Sequence, residues 1–129
     1  MTGHLFDTQV LLWYLSGDAR LPQSVRDIVA DTRLRRCVSL SSLWEIAVKE
    51  RIGKLDPGTL EQVLNRFDEG FEHLAVSERH VRRYVNMQLG GSVHRDPFDL
   101  ILIAQAMEEE LVLVTFDAEI RKMPVSVLP

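Results

Sequence analysis

The chain has 129 residues, 46% of them hydrophobic and 26% charged, with a single cysteine. That length supports one compact domain over residues 1–129 and excludes a two-domain enzyme, and the composition is that of a globular chain that buries a core without disulfides or a structural metal. Fifteen Lys and Arg against 19 Asp and Glu give a net charge of −4, which at first sight speaks against a nucleic-acid partner.

No apolar run approaches the ~20 residues that span a bilayer, and Met1-Thr2-Gly3-His4 lacks the zones of a signal peptide. Cys37 alone makes neither an internal disulfide nor a zinc cluster, which fits a reducing compartment. The expectation is a cytoplasmic protein with no membrane partner.

In chain order, Leu5-Phe6 is a short strand ending at Asp7-Thr8. The unbroken apolar run Val10 to Leu15 follows, stopped by Gly17-Asp18; as a helix it must be covered on several sides. Pro22 opens a helix over Gln23 to Asp31, and the basic stretch from Arg33 to Arg36 leads into a strand at Cys37 to Ser39. Leu43, Trp44, Ala47, Val48 and Ile52 recur at helical spacing up to Gly53. A helix from Leu60 to Phe67 follows Pro57-Gly58, a strand lies within Phe71 to Val76, and Ser77 starts a charged helix from Arg79 to Leu89, closed by Gly90-Gly91. Asp96-Pro97 starts another helix with Leu100, Ile103, Ala104 and Met107 on one face. Leu111 to Thr115 is a strand, Asp117 opens a short helix, and Val125 to Leu128 is a final strand. Strands alternating with helices predict an α/β protein, a three-layer α/β/α sandwich with a mostly parallel sheet.

Four acids occupy informative places: Asp7 after the first strand, Glu45 in the first turn of the helix after the second, Asp99 in the first turn of the Asp96-Pro97 helix, and Asp117 after the late strand. In an open parallel sheet, strand ends and adjoining helix starts gather along one edge, where such folds place their sites. Each acid also has a structural role open to it. Asp7 and Asp117 suit N-caps, Ser42 and Glu45 have capping-box spacing, and Asp96 suits an N-cap, with Asp99 behind it favoured by the helix dipole. As a set, the four carboxylates would repel one another unless a cation relieved them. All are oxygen donors, with the hydroxyls of Thr8 and Thr115 beside them, a set suited to Mg²⁺ or Mn²⁺ and to metal-assisted phosphodiester hydrolysis.

These residues, in this order, resemble the PIN-domain ribonucleases, and specifically the VapC-type toxins of type II toxin-antitoxin systems. The resemblance rests on Phe6 to Trp13 (FDTQVLLW), Ser39 to Leu55 (SLSSLWEIAVKERIGKL), His94 to Ala106 (HRDPFDLILIAQA) and Leu111 to Asp117 (LVLVTFD). It implies metal-binding and catalytic roles for Asp7, Glu45, Asp99 and Asp117. Asp96 is the alternative to Asp99, which is preferred because it aligns without a gap to the acid preceding the family's Ala-x-Ala helix, here Ala104 and Ala106. It further implies a homodimer, an RNA substrate and a cognate antitoxin protein, with DNA met only indirectly through the antitoxin. Gln9 stands where this subgroup more often has His, and Leu100 where Arg is frequent.

Arg95 and His94 are the candidate RNA contacts, since they directly precede the acidic helix. Two further basic clusters, Arg33/Arg35/Arg36 and Arg79/Arg82/Arg83, suit either phosphate or a solvated surface. Trp13, Tyr14 and Trp44 read as core, with a partner surface as the alternative for the first two. Lys49, four residues after Glu45, suits an ion pair that orients the glutamate, and Cys37 reads as inert core. The reading of function is a Mg²⁺- or Mn²⁺-dependent endoribonuclease acting as a toxin. The alternatives are a catalytically silent α/β binding module and a phosphotransfer or phosphohydrolase domain using Asp7. The latter usually needs a second Asp where this chain has Gln9. Setting aside the four proposed ligands leaves 15 acids against 15 cations, so the net charge is that of the proposed site itself.

Overall fold

The computed structural model describes residues 2–88 and 96–129. Five short strands, β1 (His4–Phe6), β2 (Arg36–Ser39), β3 (Glu72–Leu74), β4 (Val112–Val114) and β5 (Val127–Leu128), form one sheet in the order β3-β2-β1-β4-β5. Every pairing is parallel, with Leu5 opposite both Cys37 and Leu113. The connections carry helices α1 (Thr8–Ser16), α2 (Gln23–Ala30), α3 (Leu40–Arg51), α4 (Thr59–Arg66), α5 (Glu78–Asn86) and α6 (Pro97–Glu108), and a 3₁₀ turn at Ile120–Lys122.

The layers follow from strand alternation. Phe6, Val38 and Val114 point to one face, where Val10, Leu11, Val25, Ile46 and Phe67 from the α1–α4 side complete a core. Leu5, Cys37 and Leu113 point to the other, against Leu102, Ile103 and Ala106 of α6. Both faces are covered, as an all-parallel sheet requires. Burial pushes the Cys37 thiol up to about 11, consistent with an inert core position.

The apolar run after β1 is helical. Val10 and Leu11 are buried, Leu12 to Leu15 half-buried, and Gly17 ends the helix in the left-handed conformation that glycine adopts without strain. Pro22 is the N-cap of α2 rather than its first residue. The charged helix α5 ends at Asn86, and the predicted stop at Gly90-Gly91 lies outside the described residues.

The main departure concerns α3. It starts three residues before the predicted apolar stripe, because Ser39 is its N-cap and accepts a hydrogen bond from the Ser41 amide. The helix therefore buries Ser41, Ser42, Leu43, Glu45 and Ile46, and leaves Trp44 65% exposed and Ile52 59% exposed. Trp44 is thus not core; it meets Phe98 edge-on at 5.3 Å over an apolar depression that Leu40 and Val76 also line. Trp13 and Tyr14 are half-buried at the margin of the core rather than inside it, packed against Phe116 and Phe67. Leu100 is a core residue of α6.

Candidate active site

A cleft of about 330 Å³ opens at the carboxyl-terminal edge of the sheet and is lined by Asp7, Glu45, Asp96, Asp99 and Asp117, together with Thr8 and Lys49. Asp7 follows β1 directly, and its amide donates to the Val114 carbonyl of the neighbouring strand at 3.0 Å. Asp117 follows β4, Asp96 and Asp99 stand at the start of α6, and Glu45 projects from α3. The parallel sheet thus delivers acids more than a hundred residues apart to one edge.

The Asp7 carboxylate makes no cap bond to its helix, although Asp7 holds the N-cap position. Instead it is buried and accepts a 2.7 Å hydrogen bond from the Thr115 hydroxyl, which in turn accepts from the Asp117 amide at 3.1 Å. Glu45 is held at both oxygens. Thr8 Oγ1 lies 2.8 Å from Oε1 and 2.9 Å from Ser42 Oγ, so its one proton serves the acceptor-only carboxylate and the Ser42 hydroxyl donates to it. Lys49 Nζ lies 2.8 Å from Oε2. The expected Ser42–Glu45 capping box is therefore absent. Ser42 is inside α3, and Glu45 is in its second turn, facing the cleft.

The remaining acids keep cap-like bonds. Asp96 Oδ1 accepts from the amides of Phe98 at 2.8 Å and Asp99 at 3.3 Å, and Asp117 Oδ1 from those of Glu119 at 2.8 Å and Ile120 at 3.2 Å. Asp96 lines the cleft beside Asp99, so the two share its α6 wall.

Burial raises the Asp7 pKa above the ordinary carboxylate value, Glu45 and Asp117 raise it further, and the Thr115 bond opposes them. The Lys49 ammonium is held in its charged form by its bond to Glu45, with Asp96 and Asp99 adding attraction. Among the described residues, no three His, Cys, Asp or Glu side chains are grouped so that together they could hold a metal ion. The acids share a cleft rather than forming a closed cage.

His94 and Arg95 lie outside the described residues. The two other arginine clusters are engaged with protein groups. Arg33 pairs with Asp31 and Arg35 with Glu72, while Arg36 is buried, donating to the carbonyls of Val29 and Gly70 and lying over the Phe71 ring. Arg79 and Arg83 pair with Glu108, and Arg82 with Glu78. The expected Lys49–Glu45 ion pair is present, whereas sequence reasoning missed the Ser42 hydroxyl as part of the Glu45 cradle. The run Ser39 to Ser42, with three hydroxyls ahead of the glutamate, was the available signal.

Comparison with solved structures gives the same fold. VapBC2 from Rickettsia felis, bound to a DNA fragment from its promoter, matches at 15% identity and TM-score 0.74, over 97% of this chain and 96% of that one. DNA-bound VapBC from Salmonella typhimurium matches at 20% identity and TM-score 0.75, over 99% and 98%. The Sarcin-Ricin loop cleaving toxin VapC20 from Mycobacterium tuberculosis matches at 15% identity and TM-score 0.65, over 92% and 93%. No curated protein sequence matches the chain. The PIN domain family model matches residues 5–125, which spans every acid of the cleft and all but the last strand. With that match and the all-parallel sandwich that sets its acids along one edge, the chain belongs to the PIN-domain family.

Proposed function

We propose that the protein is a Mg²⁺- or Mn²⁺-dependent endoribonuclease and the toxin of a toxin-antitoxin pair. The observation that carries this reading is the cleft in which Asp7, Glu45, Asp96, Asp99 and Asp117 share one wall-to-wall space in a PIN-domain chain. A divalent cation fits the donor set on two grounds. The donors are hard oxygens, and burial together with neighbouring carboxylates raises the pKa of Asp7, a cost that a cation removes. The open arrangement suits Mg²⁺, which keeps several waters and needs only one or two protein carboxylates. Asp7 and Glu45 are oriented by side-chain partners, and Asp99 and Asp117 complete the proposed ligand set, with Asp96 as the alternative to Asp99. A bound ion would supply Lewis-acid activation of the phosphate and of water. The chain's own part is to fix the acids. Thr115 orients Asp7, Thr8 and Ser42 orient Glu45, and Lys49 balances charge at the cleft wall.

The antitoxin partner is supported by the toxin-antitoxin complexes among the similar structures, including one from Klebsiella pneumoniae. Contact with DNA belongs to that partner, as in the promoter-bound complexes, and the RNA substrate is supported by the loop-cleaving relative. A homodimer belongs to the same reading, and the exposed Trp44 depression is a face suited to burial against a second copy. No helix among the described residues is long and apolar enough to cross a membrane, which accords with a cytoplasmic site of action.

The test is incubation of the purified protein with total RNA in Mn²⁺ or in EDTA, beside Asp7→Asn and Asp99→Asn. Cleavage that needs the ion and both carboxylates is expected, and cleavage indifferent to chelator and substitutions overturns the reading. Induced expression in a bacterial host gives the toxin arm. Growth arrest by the wild type and not by Asp7→Asn is expected.

A further inference from the structure

The acid cleft does not end at Lys49. A second groove, with a volume of about 630 Å³, continues from it, and the two share Gln9, Leu12, Trp13 and Lys49. Beyond the shared residues the groove carries Arg20, Lys54 and Gln62, and Asp56 is its one acid. Arg20 lies over the Trp13 ring at 4.7 Å, held there by a two-point ion pair from its Nε and Nη2 to the Asp18 carboxylate, and its side chain is 70% exposed, so the outer surface of that pair is a fixed planar guanidinium backed by an indole. A groove that joins a flat cationic and aromatic platform to lysines, and that runs into a phosphodiesterase site, has the chemistry by which proteins hold single-stranded nucleic acid without reading its sequence.

We infer that the groove from Lys49 past Trp13 and Arg20 to Lys54 is the path of the single-stranded RNA flanking the bond to be cut, with a base stacked on the Arg20–Trp13 pair and Lys54 meeting backbone phosphate. The inference rests on the nuclease reading and deepens it. Continuity decides the occupant. A strand whose phosphate reaches the acids must leave the cleft somewhere, and this exit presents cations and hydrogen-bonding amides, Gln9 and Gln62, beside apolar Leu12 and Leu55. Lys49 stands at the junction, paired with Glu45. With Glu45 engaged by an ion, the Lys49 ammonium would be left to meet the incoming phosphate.

The experiment measures binding without chemistry. A fluorescein-labelled oligouridylate of about ten nucleotides is titrated in EDTA against the wild type, Lys54→Glu, Gln62→Glu and Arg33→Glu. Arg33 precedes β2 and so lies at the opposite edge of the sheet. Lys54→Glu is expected to weaken binding about tenfold at low salt and to lower the slope of log K against log salt by about 0.7, the contribution of one phosphate contact on a single strand. Gln62→Glu is expected to weaken it less, and Arg33→Glu to leave it unchanged. In a Trp44→Phe background Trp13 is the sole tryptophan, and its emission is expected to change as RNA saturates. Binding by Lys54→Glu equal to wild type, equal weakening by Arg33→Glu, or Trp13 emission unmoved at saturation overturns the inference. Trp13 emission that responds to a co-expressed antitoxin but not to RNA overturns it too and assigns the groove to the protein partner. Cleavage of total RNA in Mn²⁺ separates the two readings. If the wild type and Lys54→Glu cleave with the same KM, the groove falls and the nuclease stands. If the wild type neither binds nor cleaves, both fall.

Discussion

At the scale of single residues the molecule distinguishes aspartates that cap a helix from one that does not. Asp96 and Asp117 each satisfy two backbone amides. Asp7 satisfies none at N2 or N3 of its own helix and is buried facing Glu45's charge instead. Burial, then Glu45 and Asp117, hold its folded-state pKa above the unfolded value. In the window between those two values the folded chain binds more protons than the unfolded one, so stability falls as pH rises through it, and the loss is complete above the folded pKa. Asp7→Asn removes the charge while keeping an acceptor for Thr115. We therefore expect Asp7→Asn to melt at a higher temperature than the wild type in EDTA at neutral pH, with the difference vanishing at acid pH, while cleavage is lost. Calorimetry over a pH series checks the sign, and a lower melting temperature for Asp7→Asn refutes it. The hydroxyls beside the acids carry a second prediction. Thr115→Val leaves the Asp7 carboxylate without its 2.7 Å donor, and loss of such an outer hydrogen bond typically costs about 10–100-fold in metal affinity or activity. Mn²⁺ titration of Thr115→Val against the wild type measures this. The sequence placed Thr8 and Thr115 beside the acids, but which hydroxyl serves which carboxylate depends on the lateral order of β1 and β4, which no local pattern encodes.

At the scale of elements, the strands and most helix boundaries were legible because each carries its own punctuation: Gly17 after α1, Ser77 before α5, and Asp96-Pro97 before α6. Helix α3 was read less well. Of its predicted apolar stripe Leu43 is buried and Ala47 and Val48 half-buried, but Trp44 and Ile52 are exposed, and Ser41, Ser42 and Glu45 join Leu43 and Ile46 on the buried face. Periodicity reports which residues could be buried, and here α3 turns a polar face inward to serve the cleft, a choice that hydrophobic patterning cannot signal. That face is locked at its start. Ser39 Oγ donates to Gln105 Oε1 at 2.6 Å while accepting from the Ser41 amide, and Gln105 Nε2 donates to the Ala75 carbonyl at 3.3 Å. Gln105, fully buried in α6, therefore ties the cap of α3 to the chain leaving β3. Gln105→Leu strands a buried hydroxyl and a carbonyl, and is expected to cost about 1–3 kcal/mol by urea denaturation. Since Ser39 begins the helix that presents Glu45, weaker Mn²⁺ binding should accompany it. Gly70→Ala tests the buried Arg36 in the same way. Gly70 has φ +82°, and a Cβ there would come within 2.7 Å of the Arg36 guanidinium, so a loss of about 1–3 kcal/mol is expected.

At the scale of the whole molecule, the charge that first argued against nucleic acid has a location. Five of the 19 acids line one cleft, and the two arginine clusters that suited either phosphate or a solvated surface are paired with acids or buried. What the sequence could not show is that, among the described residues, Lys49, Lys54 and Arg20 line one groove running from the acids, spread over 35 residues and collected by the packing of α1 against α3 and α4. Under the proposed function, a cation from solution is the counterweight to this acid cleft, which would make stability and ion binding one equilibrium. Mn²⁺ that binds the folded chain alone should raise its stability by about 2.7 kcal/mol at a hundred times the dissociation constant. Because the ion needs Asp7 ionised, the stabilisation should grow with pH across the range in which the ion-free protein is losing stability. The fall in EDTA should therefore flatten in Mn²⁺, because the stabilisation gained offsets the loss. Asp7→Asn should show neither the fall nor its flattening, and little response to Mn²⁺. Parallel slopes with and without the ion would mean that Asp7 titrates without regard to the metal, and that the charge of the cleft serves some purpose other than holding one.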